Sequence, residues 1–137
     1  MHPASIYTIG HGRQPIEDFL SLLAANRIEV LADVRAVPRS RWPQFNQKAL
    51  VVALGNAGIR YIHFPELGWK IQAPQADFEQ GLVELVRIIN SERVCMMCAE
   101  SLPDQCHRHL VLTPPLLQQG IDVIHIYPNG QLKTLSS

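Results

Sequence analysis

Apolar positions along the chain follow two periods, one typical of buried strands and one typical of amphipathic helices. Short apolar runs predict strands at Ile6–Ile9, Glu29–Val34, Arg60–Phe64 and Val94–Cys98. Segments with apolar residues at helical spacing separate these runs, at Pro15–Asn26, Asn46–Ala57 and Ala76–Ile89. Strand and helix therefore alternate through the first hundred residues.

The remaining chain continues this alternation. We expect a fourth helix at Cys106–Gln119, kinked or split at Pro114-Pro115, and a fifth strand at Asp122–Tyr127. A turn at 128–130 then leads into a short edge strand at Gln131–Leu135. The whole pattern predicts one α/β domain over residues 1–137. Its sheet is mostly parallel, with five or six strands and helices on both faces.

Composition adds limits to this picture. A chain of 137 residues with 47% apolar residues fits one ordinary globular domain. The formal net charge of zero gives no support to a general nucleic-acid or membrane binder. With three irregularly spaced cysteines, no leader pattern and no long apolar run, we expect a soluble, cytoplasmic protein with reduced thiols and no disulfide.

Polar segments follow each of the first four predicted strands. They are Gly10–Arg13, Asp33–Arg41, Pro65–Trp69 and Cys98–Arg108. In a parallel sheet the carboxyl ends of the strands share one edge, and ligands bind in the crevice outside that edge. We therefore expect these segments to converge on one site.

The first two segments offer an imidazole and several cations. His11 lies between two glycines, which suits either close contact with a ligand or a tight turn with a solvated imidazole. Asp33 ends an apolar strand, and Arg35 could pair with it structurally or bind an anion beside it. We favour the anion site, because Arg39 and Arg41 add two cations and Ser40 adds a hydroxyl.

The fourth segment carries most of the candidate chemistry. Cys106, His107 and Arg108 are predicted in the first turn of the fourth helix, where backbone N–H groups and the helix dipole favour anions and thiolates. Cys106 could be a nucleophile, an anion contact, a metal ligand or a packing residue. Arg108 could clamp an anion, and Glu100 is the best candidate acid or base.

Cys95 and Cys98 have the spacing of a zinc knuckle or redox pair, but we reject both readings. A zinc site of that kind needs a second ligand pair. In addition, the two thiols of a continuous strand at this spacing point to opposite faces of the sheet. Cys95 is therefore expected to be an inert core thiol.

At these residues the chain resembles the family called domain of unknown function 488. The matching pieces are Thr8–His11, Asp33–Arg35 with Pro38, Ser40 and Arg41, Leu67-Gly68, Cys98–Glu100, Cys106–Arg108 and Val123–Ile126. They cover most of the chain in the expected order. The resemblance implies a single α/β domain and supports the choice of site residues, but it supplies no reaction.

Three functions are compatible with these residues. The first is an enzyme acting on a phosphate-bearing nucleotide or nucleic-acid end. The anion would be bound by Arg35, Arg41 and Arg108 together with Ser40 and His107. The candidate catalytic residues are Glu100, Cys106, His11 and Asp33. The second is a non-catalytic nucleotide or nucleic-acid binding module.

The third is a metal site at Cys98, Cys106 and His107, completed by His11 or Glu100, and it ranks last because its spacing fits no familiar pattern. No cofactor is predicted. The cysteine and arginine spacing also differs from phosphatase and rhodanese loops. Substrate identity and oligomeric state stay open at this stage.

Overall fold

A computed structural model of the chain describes residues 4–68, 74–103, 106 and 108–137, apart from the side chains of Arg108 and His109. Its strands are β1 Ser5–Gly10, β2 Val30–Asp33, β3 Arg60–His63, β4 Val94–Cys98, β5 Asp122–Ile126 and β6 Leu132–Leu135. Its α-helices are α1 Ile16–Ala25, α2 Gln47–Asn56, α3 Gln75–Ile89 and α4 Thr113–Gln118. Short 3₁₀ turns lie at Pro43–Phe45 and Pro65–Leu67.

The six strands form one sheet in the order β3-β2-β4-β1-β5-β6. The pairings among the first five strands are parallel, and β6 pairs with β5 antiparallel. The predicted α/β class and the mostly parallel sheet are therefore confirmed. The antiparallel hairpin strand makes the sheet a mixed one.

Helices cover both faces of this sheet, as the alternating directions of the side chains along β4 show. Met96 and Cys98 pack into the core shared with α3 and α4, whereas Cys95 and Met97 pack into the core shared with α1 and α2. All five residues of β4 are buried, as expected of a central parallel strand. Cys95 and Cys98 do lie on opposite faces, so the core position predicted for Cys95 is confirmed.

The chain after β4 is helical in two parts, as expected for a helix kinked or split at Pro114-Pro115. A π-helical turn at Arg108–Leu112 leads directly into α4. The two prolines lie in the first turn of α4, where proline is tolerated, so the helical segment is divided at the predicted position. Cys106 precedes the helical turn, and its placement in the first turn of the fourth helix is therefore wrong.

The expectation of three free thiols is also wrong. Cys98, at the end of β4, is paired in a disulfide with Cys106, and Cys95 forms no disulfide with any described residue. Both partners are buried in the same core cluster. Irregular cysteine spacing could not reveal this pairing, because it depends on how the intervening segment returns to the strand end. In the described ranges no helix is long and apolar enough to cross a membrane.

Candidate functional site

The order of the strands determines which polar segments meet. Strands β2, β4 and β1 are consecutive in the sheet, so the segments that follow them lie side by side at its carboxyl edge. The backbone N–H groups of His11 and Gly12 continue the strand pairing by donating to the carbonyls of Cys98 (2.9 Å) and Ala99 (3.0 Å). The segments after β1 and β4 are thereby joined for two residues beyond the sheet.

Gly10 permits this close approach. A Cβ atom at Gly10 would lie 1.6 Å from the carbonyl oxygen of Glu100, a distance that no side chain can accommodate. Gly12 has a positive φ of 52°, and a Cβ there would meet the Ser101 hydroxyl. The two glycines flanking His11 therefore serve the contact between loops, a role that the sequence analysis did not consider.

A cleft of about 560 Å³ lies where these three segments meet. Its lining comprises His11, Gly12, Arg13, Arg39, Ser40, Arg41, Trp42, Ala99, Glu100 and Ser101. Four predicted site residues, His11, Ser40, Arg41 and Glu100, are therefore brought together. We call this feature the arginine cleft.

Charge in the arginine cleft is predominantly positive. Arg13, Arg39 and Arg41 are exposed, and none of them forms an ion pair with any residue that the structure describes. Glu100 is the one carboxylate among the lining residues. Three guanidinium groups with unused donors favour a multiply charged anion such as a phosphate.

Beneath the cleft, Asp33 and Arg35 form a buried ion pair. The Arg35 guanidinium donates to both carboxylate oxygens of Asp33, from Nε to Oδ1 at 2.9 Å and from Nη2 to Oδ2 at 2.8 Å. The Arg35 backbone N–H also donates to Oδ1 at 3.1 Å. Both side chains are almost fully buried, and neither lines the cleft.

This pair also connects the surrounding loops. Arg35 Nη1 donates to the carbonyl of Phe45 at 2.7 Å and approaches His11 Nε2 at 3.4 Å. The Tyr61 hydroxyl donates to Asp33 Oδ2 at 2.6 Å, and His63 Nε2 donates to the Arg35 carbonyl at 2.8 Å. Burial and the bond to the Asp33 carboxylate raise the pKa of the Tyr61 hydroxyl above its usual range, so it remains a donor.

His11 is buried, and its orientation is fixed. Its Nδ1 donates to the Gly12 carbonyl at 2.7 Å, and its ring stacks on Phe45 with centroids 4.5 Å apart. That tautomer leaves Nε2 as an acceptor facing Arg35. Burial, together with the nearby Arg35 charge, lowers the pKa of His11 from 6.5 to about 4, against the opposing effects of the Gly12 hydrogen bond and the Asp33 charge. The imidazole is therefore neutral at pH 7.

Other predicted site residues lie elsewhere. Cys106 is buried and engaged in the disulfide, so it presents no thiolate here. The side chain of Arg108 and all of His107 lie outside the described residues. The segment after β3 does not line the arginine cleft, since β3 is separated from β4 by β2. Within the described ranges no three His, Cys, Asp or Glu residues are grouped as a metal site.

Sequence reasoning missed several contributors. Arg13 and Ser101 lie in the polar segments but carried no motif of their own, and Trp42 could equally have been a core residue. Tyr61 donates a hydrogen bond to Asp33, and the Phe45 carbonyl accepts one from Arg35. In the sequence, Tyr61 looks like an ordinary strand residue and Phe45 like an ordinary apolar loop residue. Only the register of β2 with β3, which pairs Ala32 with Ile62 and Asp33 with His63, brings Tyr61 close to Asp33.

These features define an α/β protein with a cationic cleft at the carboxyl edge of one mostly parallel sheet. The sequence model of the family described as domain of unknown function DUF488 matches residues 15–76 and 69–113, and the chain belongs to this family. Among curated proteins and among solved structures, no match to the chain is found.

Removing the Asp33 charge tests the importance of the buried pair. We predict that Asp33→Asn lowers the free energy of unfolding by about 3–5 kcal/mol, because it leaves Arg35 buried without its counter-charge. Glu92→Gln is the control, since it breaks the more exposed Arg60–Glu92 pair and should cost only about 0–1 kcal/mol. Urea unfolding measures both, and equal small losses would contradict the structural role assigned to Asp33.

The depressed pKa of His11 predicts a pH dependence of stability. Between pH 6.5 and about 4 the unfolded chain takes up a proton at His11 that the folded protein does not, so stability falls as pH falls through this window. The loss from pH 7 to pH 5 should be about 2 kcal/mol. His11→Asn, which retains a donor toward Gly12, should lack that part of the slope in urea unfolding. Identical pH profiles for the two proteins would refute the assignment.

Proposed function

We propose that this protein is an enzyme that acts on a phosphate-bearing nucleotide or nucleic-acid end bound in the arginine cleft. The observation that carries the proposal is the convergence of Arg13, Arg39 and Arg41 on one cleft with no ion-pair partner in the part of the chain that the structure describes. Arginine binds phosphate oxygens in a bidentate manner, and its charge persists at every physiological pH.

Trp42 supports a nucleotide over a simple inorganic anion. It lines the cleft beside the arginines and is half-buried against the core shared with α1 and α2. Its backbone N–H donates to the Ser40 hydroxyl at 3.0 Å, which fixes the turn between Arg39 and Arg41. An aromatic ring beside cationic side chains is the combination that binds a base and its phosphate together.

For catalysis, Glu100 is the acid or base that we favour. It is exposed and lines the cleft, whereas Asp33 is buried beneath the cleft in the ion pair with Arg35. Because His11 is neutral, it would contact the substrate as part of the cleft wall and would not act as a cation. Glu100 would transfer a proton to or from an oxygen of the phosphate-bearing group.

A non-catalytic binding module is the second candidate. The burial of Cys106 and Asp33 favours it, because neither of these two predicted catalytic groups lines the cleft. The arginines would then bind the same ligands without turnover. The two functions share the binding step and differ only in what Glu100 does.

Calorimetry with nucleoside monophosphates tests the binding step. We expect Arg39→Ala and Arg41→Ala each to weaken binding by about tenfold or more, since a charge-assisted hydrogen bond contributes about 1.5–3 kcal/mol. Arg87→Ala is the matched control, because Arg87 is exposed but pairs with Glu84 on α3. Unchanged affinity in both cleft variants would refute the proposed site.

Turnover on the same nucleotides, and on short oligonucleotides, separates the two candidates. If the protein is an enzyme, Glu100→Gln should bind substrate with similar affinity and lose most of its turnover. Binding without product formation by the unmodified protein on every phosphate ester tried would favour the binding module.

A further inference from the structure

A second hollow adjoins the arginine cleft and shares Arg39 with it. It has a volume of about 470 Å³ and is lined by Val37, Pro38, Arg39, Asn46 and Gln47. We call it the side hollow. Because Arg39 lines both spaces, a ligand whose phosphate contacts Arg39 can extend from one space into the other.

The walls of the side hollow are held by hydrogen bonds within its own loop. The backbone N–H of Ser40 donates to Asn46 Oδ1 at 2.7 Å, and that of Gln47 donates to the Pro38 carbonyl at 3.0 Å. A further bond of 2.8 Å, from the Arg39 N–H to the Val37 carbonyl, tightens the turn. This bracing holds the Val37 side chain at 57% exposure, where it forms part of the apolar wall of the hollow.

Two amide side chains supply unused polar groups in the same place. Asn46 uses its oxygen for Ser40, and Gln47 uses its nitrogen for the Tyr61 hydroxyl at 3.3 Å. Within the described ranges, the Asn46 nitrogen and the Gln47 oxygen have no hydrogen bond. One donor and one acceptor beside an apolar surface match the edge and face of a nucleobase.

We propose that the side hollow binds the base of a second nucleotide, so that the ligand is a dinucleotide or the end of a single-stranded nucleic acid. The proposal rests on the function proposed above and extends it by naming the substrate class. Arg39 would bind the phosphate that joins the two units. The zero net charge of the chain is consistent with a short ligand, because a long strand would need many more phosphate contacts.

The test compares the affinities of a nucleoside monophosphate and the matching 5′-phosphorylated dinucleotide. Burying part of a second base against Val37 and Pro38 should raise affinity by about fivefold or more, since burial of ~40 Å² of apolar surface contributes about 1 kcal/mol. Val37→Ser should remove most of this gain without changing the affinity for the mononucleotide. Val52→Ser is the matched control, because Val52 has a similar exposure of 60% on α2 and lines neither space.

The outcomes distinguish the two proposals. If the dinucleotide binds no tighter than the mononucleotide, the side hollow is not a base-binding site. The proposed phosphate site in the arginine cleft is not contradicted by that result. Equal effects of Val37→Ser and Val52→Ser would also overturn base binding in the side hollow, since the gain would then come from outside the hollow. If neither ligand binds, the proposed function and this inference both fail.

Discussion

The buried ion pair between Asp33 and Arg35 is the interaction on which the rest of the site depends. A carboxylate at the end of a buried strand is costly unless its charge and its lone pairs are satisfied. Arg35 and the Tyr61 hydroxyl satisfy them, and the remaining donors of Arg35 reach Phe45 and His11. The segments that follow β1 and β2 are thereby joined through one guanidinium group, and Tyr61 of β3 is joined to them through the Asp33 carboxylate.

Arginines at this edge of the sheet consequently divide into two kinds. Arg35 is enclosed, and its donors are directed at protein acceptors, so it supports the site from beneath. Arg13, Arg39 and Arg41 are exposed above it with donors available to a ligand. Because the buried pair and the hydrogen bonds of the loop set the position of the cleft walls before any ligand arrives, little ordering should be needed on binding.

Much of this arrangement could be predicted from local sequence, and the rest required the tertiary structure. Hydrophobic periodicity located the first five strands, and the turn at 128–130 indicated the sixth. The rule for carboxyl ends of parallel strands placed His11 and Glu100 at one edge. The sequence could not decide whether Arg35 binds a ligand or pairs with Asp33, because both need the same residues at the same spacing. The disulfide of Cys106 was also beyond local reasoning, since it depends on a return of the chain to the end of β4.

Nuclear magnetic resonance of the arginine side chains tests the division between supporting and ligand-binding arginines most directly. During titration with a nucleoside monophosphate, the Nε–Hε signals of Arg13, Arg39 and Arg41 should shift, whereas that of Arg35 should stay nearly constant. Arg60, which pairs with Glu92 away from the cleft, is the internal reference. Shifts at Arg60 as large as those of the cleft arginines, or a dominant shift at Arg35, would contradict the account.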